Sequence, residues 1–316
     1  MNHGFERLPF NSARAEAGSV RKLRGMSPPS IRPIASRACL LLSMGLACLL
    51  LSLGLGGCDP SAEVPVPESS SSASSIPALA ARPTPPPPAP LPAALRSAYR
   101  DLSAGQFERG RSAAQAYLAL HPGDAQANLM IGLSFFKADN HGAARPYFEA
   151  ALEADPEYYI TYDYLAEACF LLGELEAARA HYHSFRSFVP GEPRTYVRLG
   201  VIELEQSRPE LAAAYFREAL SLFDALQHSD PRSYGRQQPE LASAHARMGE
   251  LHFAAGEYEL ARTELEQATG IWPGNISAFY TLSQVYRRLG EDELADGAAR
   301  HYESERQQRI DGGTPK

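Results

Sequence analysis

Between residues 91 and 309, small and apolar positions recur in register every 34 residues. Pro122, Pro156 and Pro190 mark the period, each closing a similar block: LALHPGD, LEADPEY and SFVPGEP. This phase divides the chain into units at 91–124, 125–158, 159–192 and 193–226, and it resumes at 242–275 and 276–309. A repeat of this length with helical patterning predicts one helix-turn-helix per unit, because a single hairpin of helices cannot bury its own apolar face and must stack on its neighbours.

The columns of the repeat carry the packing logic. The eighth position is always small (Ala98, Gly132, Ala166, Gly200, Gly249, Ser283), as is the twentieth (Gly110, Ala144, Ala178, Ala212, Ala261, Ala295). Two helices approach to about 8 Å only where side chains nearly vanish, so these columns mark where helix A of a unit crosses helix B. Bulkier groups fill the seventh column (Ile131, Leu165, Leu199, Met248, Leu282) and the twenty-fourth (Phe148, Tyr182, Phe216, Leu265). Gly105, Gly173, Gly256 and Gly290 hold the fifteenth, where a tight interhelix turn needs a left-handed residue. In unit four Ser207-Arg208-Pro209-Glu210 stands there, and its spacing predicts a capping box with a first-turn proline. Units one and six move their large residue from the twenty-fourth to the twenty-seventh position (Ala114 and Tyr117, Ala299 and Tyr302). Atypical ends are what a solenoid expects, and the polar final helix is suited to act as its own cap.

This pattern resembles the tetratricopeptide repeat over roughly residues 91–309. The resemblance implies an all-α, right-handed α-solenoid of about six helix-turn-helix units, domain 93–309, with a short tail at 310–316. Residues 225–241 lengthen one connection. They fit either an extended helix end with an exposed loop, or a contact loop using Arg232, Tyr234 and Arg236.

The chain ahead of the repeats is of another kind. Residues 38–57 read ACLLLSMGLACLLLSLGLGG without a charge, and Arg32 and Arg37 precede them. A basic n-region before an apolar h-region is the pattern of a secretory signal. The run closes Leu55-Gly56-Gly57-Cys58, which resembles the lipobox of bacterial lipoproteins. That resemblance implies a signal peptide over 1–57, cleavage before Cys58, and a diacylglycerol on its thiol. At roughly 0.8 kcal/mol per buried CH₂, such a lipid anchors stably. An uncleaved membrane-spanning helix is the alternative, since about twenty apolar residues cross a bilayer. Both readings put the folded part beside a membrane, facing the periplasm. Met26 is an alternative start that keeps both arginines. Asp59 resembles an enterobacterial inner-membrane retention signal, which leaves inner against outer membrane open. Residues 58–92 then form a Pro/Ser-rich stretch, with 11 prolines and 7 serines between Pro60 and Pro92. Such a segment predicts a disordered linker with extended character, reaching up to roughly 100 Å. A proline-rich ligand at Pro85–Pro88 is the alternative to a plain spacer.

Charge removes one class of function. Residues 1–57 hold 7 of the 30 Lys and Arg and 2 of the 37 Asp and Glu, so the remaining 23 basic and 35 acidic residues leave the rest at −12. A nucleic-acid binder held by phosphate contacts is not expected. Cys39, Cys48, Cys58 and Cys169 form neither a disulfide framework nor a zinc pattern. No phosphate loop, nucleophile elbow or zinc helix is present in the sequence. The expectation is a non-enzyme without cofactor, metal or small-molecule substrate. His245 and His252 are seven apart on one helix, but they occupy columns where the family packs aromatic residues, so core packing is expected. His181 and His183 point to different faces. Cys169 reads as a buried, inert thiol, and the Asn275-Ile276-Ser277 sequon as a chance match.

The resemblance also names a binding surface, the concave face lined by the second, fifth, ninth, twelfth and thirteenth positions of each helix A. Carried over by column, this assigns Leu95, Tyr99 and Leu102 in unit one, and Leu129, Leu133, Phe136 and Lys137 in unit two. It assigns Asp163, Glu167 and Phe170 in unit three, and Arg194, Val197, Val201 and Leu204 in unit four. Glu250, Phe253, Tyr280, Gln284, Arg287 and Arg288 follow in units five and six. The groove is expected to be apolar in its first half and charged toward its end, and to hold a helix or extended segment of a protein partner. The Lys/Asn set with which some relatives clamp a carboxylate terminus is missing at these columns. The function implied is a membrane-anchored envelope scaffold or adaptor for assembly or secretion, the build of pilus-secretin pilotins among others. The alternative is a non-catalytic accessory subunit of an envelope enzyme acting on cell wall or polysaccharide.

Overall fold

The computed structural model describes Ile76 and residues 90–311. The expected signal segment, Cys58, Asp59, Pro85–Pro88 and the last five residues lie outside the described residues. Among the described residues there are thirteen helices and no strand. Unit one is α1 (Ala93–Ser103) and α2 (Phe107–Leu120), and unit two is α3 (Ala125–Lys137) and α4 (His141–Ala154). Unit three is α5 (Ile160–Leu172) and α6 (Leu175–Phe188), and unit four is α7 (Pro193–Glu205) and α8 (Pro209–Ser229). A short α9 (Pro231–Arg236) leads to unit five, α10 (Gln238–Ala255) and α11 (Tyr258–Ile271), then unit six, α12 (Ile276–Leu289) and α13 (Asp292–Asp311). This is the α-solenoid the repeat predicts.

The small columns do what their size implies. A Cβ added at Gly132 would lie 2.5 Å from Phe148 Cε1, and one at Gly200 would lie 2.6 Å from Phe216 Cε1. The eighth position of helix A thus receives the twenty-fourth residue of helix B. Ala144, Ala178, Ala212, Ala261 and Ala295 are fully buried at the crossing.

All six fifteenth positions are left-handed. Gly105, Gly173, Gly256 and Gly290 have φ of 76° to 80°, but Asp139 (60°) and Ser207 (59°) adopt the same conformation. The predicted capping box at Ser207 does not form: α8 starts at Pro209 behind Arg208, with no side-chain cap. Ser207 is part of the turn itself, because the hairpin geometry is imposed by the packed helices and overrides a local cap worth about 1 kcal/mol. Elsewhere side chains cap as polar residues should. Asp124 accepts from Ala127 N at 2.8 Å and Asn140 from Ala143 N at 3.1 Å. Asn275 is buried and accepts from Ala278 N at 3.3 Å, which uses the sequon asparagine for structure.

The insertion is helical. It extends α8 to 21 residues and starts α10 four residues ahead of the repeat phase, with α9 capped by Asp230 between them. No exposed loop of any length remains. Tyr234 packs half-buried against the core while Arg232 and Arg236 stay exposed.

The core divides in two. One continuous apolar cluster runs from Leu95 to Met248, and a second gathers Ala246, Ala261, Leu265, Leu282, Val285 and Ala295 in units five and six. Outer clasps tie successive units at equivalent columns. Arg145 donates to Glu174 at 2.7 Å and Arg262 to Glu291 at 2.8 Å. Such exposed pairs contribute at most about 1 kcal/mol.

Candidate functional site: the inner wall of helix A residues

The inner wall is a single layer formed by α1, α3, α5, α7, α10 and α12. Its fifth column gives the clearest reading of the surface. Leu95, Leu129, Asp163, Val197 and Ala246 are at most 6% exposed, whereas Tyr280 is 52% exposed. Leu102, Leu133, Phe136, Glu167 and Val201 are buried too. Tyr99, Lys137, Phe170, Arg194, Leu204, Glu250, Phe253 and Gln284 are half-buried, and Arg287 and Arg288 are exposed.

The fifth column of the expected groove is therefore buried from unit one to unit five, and Phe136 in the twelfth column shows how neighbouring units close on an inward side chain. Its ring lies 6.2 Å from Phe148, 6.1 Å from Tyr164 and 5.0 Å from His141. Tyr164 comes from the next helix A, so an aromatic at the twelfth column is gripped between units. Burial also lowers the pKa of the neighbouring Lys137 ammonium.

Asp163, Glu167 and Arg194 are not a row of free charges. They belong to a buried network between α5 and α7, in which Asp163 pairs with Arg194 and Glu167 with Arg198 at 3.0 Å. Tyr182 donates to Glu167 from α6. Burial works against the charge of both arginines, but the facing carboxylates win and raise their pKa values. Tyr182 is pushed up by its burial and by Glu167. Glu240, at the start of α10, is raised by burial, with Arg194 and Arg198 opposing. The column assignment missed Arg198, Tyr182 and Glu240. A signal was present, since both acid–arginine pairs are 31 residues apart, the spacing that joins neighbouring A helices in a 34-residue repeat.

The reachable wall is consequently the far end. Tyr280 packs on Tyr302 at 5.3 Å between ring centroids, and the last turn of the same helix carries the exposed Arg287 and Arg288. Arg247 pairs with Glu250 at 2.8 Å. On the other side of the first units, an apolar crevice of about 620 Å³ opens between α2, α3 and α4, lined by Leu118, Ile131 and Tyr147.

The other chemical candidates are structural. His245 meets Glu264 at 2.7 Å and His252 meets Glu257 at 2.6 Å, so each imidazole has a carboxylate partner rather than a shared ligand. No group of metal-ligating side chains occurs among the described residues. Cys169 is buried and free, and burial raises its thiol to about 11, which keeps it protonated. No helix among the described residues is long and apolar enough to cross a membrane.

Comparison with known proteins agrees with this geometry. Tetratricopeptide repeat profiles match residues 95–159, 129–193, 193–225 and 216–276, more than half of the chain. The chain belongs to the tetratricopeptide repeat family, whose members are protein–protein interaction modules. No curated protein sequence matches it. Among solved structures, Pseudomonas aeruginosa pilF superposes with a TM-score of 0.56 at 18% identity, covering 70% of this chain and 92% of that one. BtubC from P. vanneervenii does so at 0.50 and 18%, covering 70% and 94%. The Cut9–Hcn1 complex of APC/C gives 0.55 at 18%, covering 69% of this chain, and there the chain spans 40% of its relative. At these identities the likeness establishes the fold.

Proposed function

We propose that this protein is a bacterial envelope lipoprotein that uses its repeat domain as a scaffold or adaptor for assembling or secreting envelope complexes. The observation that supports the interaction role is the open inner wall of unit six, where Tyr280, packed on Tyr302, shares one helix with the exposed Arg287 and Arg288. Aromatic and arginine side chains are the groups that anchor protein interfaces, and two arginines favour a partner segment that carries carboxylates. The address rests on the uncharged residues 38–57 and the Leu-Gly-Gly-Cys that closes them. The Pro/Ser-rich tether then acts through effective concentration, keeping the repeat domain near the membrane while it searches.

The test is site-specific photo-crosslinking from Tyr280 in the intact bacterium, combined with fractionation of a Cys58→Ser variant. One dominant envelope protein in the adduct, and loss of the variant from the membrane fraction, are expected. A folded, lipidated protein that gives no adduct would remove the adaptor role. A Cys58→Ser protein that stays in the membrane would replace the lipid with a spanning helix.

A further inference from the structure

The fourth column of the repeat carries a ring in units three to six, where it holds Tyr162, Tyr196, His245 and Phe279, but in unit two it holds Asn128. In those four units the ring lies against a side chain of the same unit's helix B. Between centroids, Tyr162 is 6.2 Å from His181 and 6.0 Å from Phe188, Tyr196 is 6.4 Å from Tyr215, and Phe279 is 3.9 Å from His301. His245 meets Glu264. Unit three adds a fourth ring to its set, because Tyr159 stacks on Phe188 and lies 6.2 Å from Phe185. The columns of Tyr159, Tyr162, Phe185 and Phe188 hold Ala125, Asn128, Ala151 and Ala154 in unit two.

The helices do not close up over this loss. Gly132 against Phe148 and the buried Ala144 fix how α3 crosses α4, so the surroundings relax only in part and small side chains leave space. That space is the crevice of about 620 Å³ between α2, α3 and α4, and both Asn128 and Ala154 line it. Tyr147, the counterpart of His181 and Tyr215, is turned to other use, since its ring stacks on Phe135 at 5.6 Å. Buried Asn128 and Ile131 form the floor. Asn128 Nδ2 donates to the Asp124 carbonyl at 3.0 Å, which fixes the amide there. The one charged lining residue is the exposed Glu153, and exposed Asp155 and Glu157 follow in the next turn.

We infer that this crevice is a second docking site, whose occupant is a tryptophan or tyrosine side chain from a protein segment that also carries lysine or arginine. The ring is assigned because the chain itself fills the matching space of unit three with rings. An indole N–H or phenol O–H suits a floor that offers the Asn128 carbonyl oxygen. The basic neighbours are assigned because the rim is acidic. A ring seated in a pocket is a common anchor of protein interfaces. The site lies in unit two, not unit six, so it goes beyond the adaptor reading and adds a contact of the opposite charge preference.

The test uses the full-length chain with isotope-labelled methyl groups at Ile131 and Leu118, titrated with the tripeptides Lys-Trp-Lys, Glu-Trp-Glu and Lys-Ala-Lys. Saturable shifts of both methyls are expected with Lys-Trp-Lys, with affinity about tenfold weaker for Glu-Trp-Glu and no saturation with Lys-Ala-Lys. Asn128→Tyr restores the missing ring and should abolish the shifts with unchanged circular dichroism. Ala154→Phe, which restores the counterpart of Phe188, should do the same and serves if the first variant misfolds. Silent methyls, or shifts that persist in a folded plugged variant, would overturn the site. Equal binding of Lys-Trp-Lys and Lys-Ala-Lys would overturn the aromatic occupant, and equal binding of the two tryptophan peptides would overturn the charge preference. The outcome is independent of crosslinking at Tyr280: silent methyls with a cellular adduct would remove the crevice and leave the adaptor, and the reverse would leave the crevice alone.

Discussion

Units two to four and unit six are built from the same hairpin, yet their inner faces differ. In the central units the inward positions hold Leu129, Leu133, Asp163, Glu167, Val197 and Val201, all buried. In unit six the same columns hold Tyr280, which is exposed, and Gln284, which is half-buried. The two apolar clusters follow the same division, meeting on α10, where Met248 belongs to the first and Ala246 to the second. The column thus sets the direction in which a side chain points, and the neighbours decide whether it is core or surface. A family's binding columns do not transfer as a binding site without that second piece of information.

The comparison is broken most forcefully by putting the same charge into each half. Phe136→Glu buries an unpaired carboxylate among three rings and should cost upward of about 4 kcal/mol, with loss of the cooperative thermal transition. Tyr280→Glu, on an exposed side chain, should stay within about 0.5 kcal/mol of the native chain. Thermal melts followed by circular dichroism read both, and similar losses would show that the inner wall is uniform.

A smaller difference is expected when an ion pair is cut in each half. Glu167→Gln removes the charge facing Arg198 inside the wall and should cost about 3 kcal/mol. Arg287→Ala breaks an exposed contact with Asp296 at 4.0 Å and should cost no more than a few tenths of a kcal/mol. Denaturant midpoints at matched slope measure the pair of values. An equally mild Glu167→Gln would mean that the network sets register without stabilising the fold.

The smallest effect is a pH dependence confined to the first half. Burial, with Arg186 and Arg179 nearby, lowers His183 to about 4 from an ordinary value of 6.5. The unfolded chain therefore takes up a proton at higher pH than the folded one. The stability from keeping His183 neutral is fully present above about pH 6.5 and is lost as pH falls toward 4. Between pH 7 and pH 5 the loss should be about 1–2 kcal/mol, and His183→Gln should flatten that part of the curve. An unchanged slope in the variant would assign the acid sensitivity to other groups.

Much of this was legible because a repeat samples each structural constraint several times. Small residues at the eighth and twentieth columns identified the helix crossing, and a bulky twenty-fourth residue identified what fills it. The left-handed turn at the fifteenth was readable from four glycines and unreadable from Asp139 and Ser207, whose own preferences point elsewhere. The insertion read as a connection with a loop, because it lengthens the link between units four and five and interrupts the repeat phase. In the fold α8 and α10 continue through it, supported by packing of Tyr234 and burial of Glu240.

The linear pattern established the number of units, their register and the face toward which each position turns, because 3.6-residue helical geometry and the need for close crossings act locally and repeat. Which inward positions are covered was decided only in three dimensions. Burial depends on which side chains meet: the next helix A at Phe136, and an arginine 31 residues ahead at Asp163 and Glu167. Those neighbours come from separate parts of the chain, and no column of a repeat records their meeting.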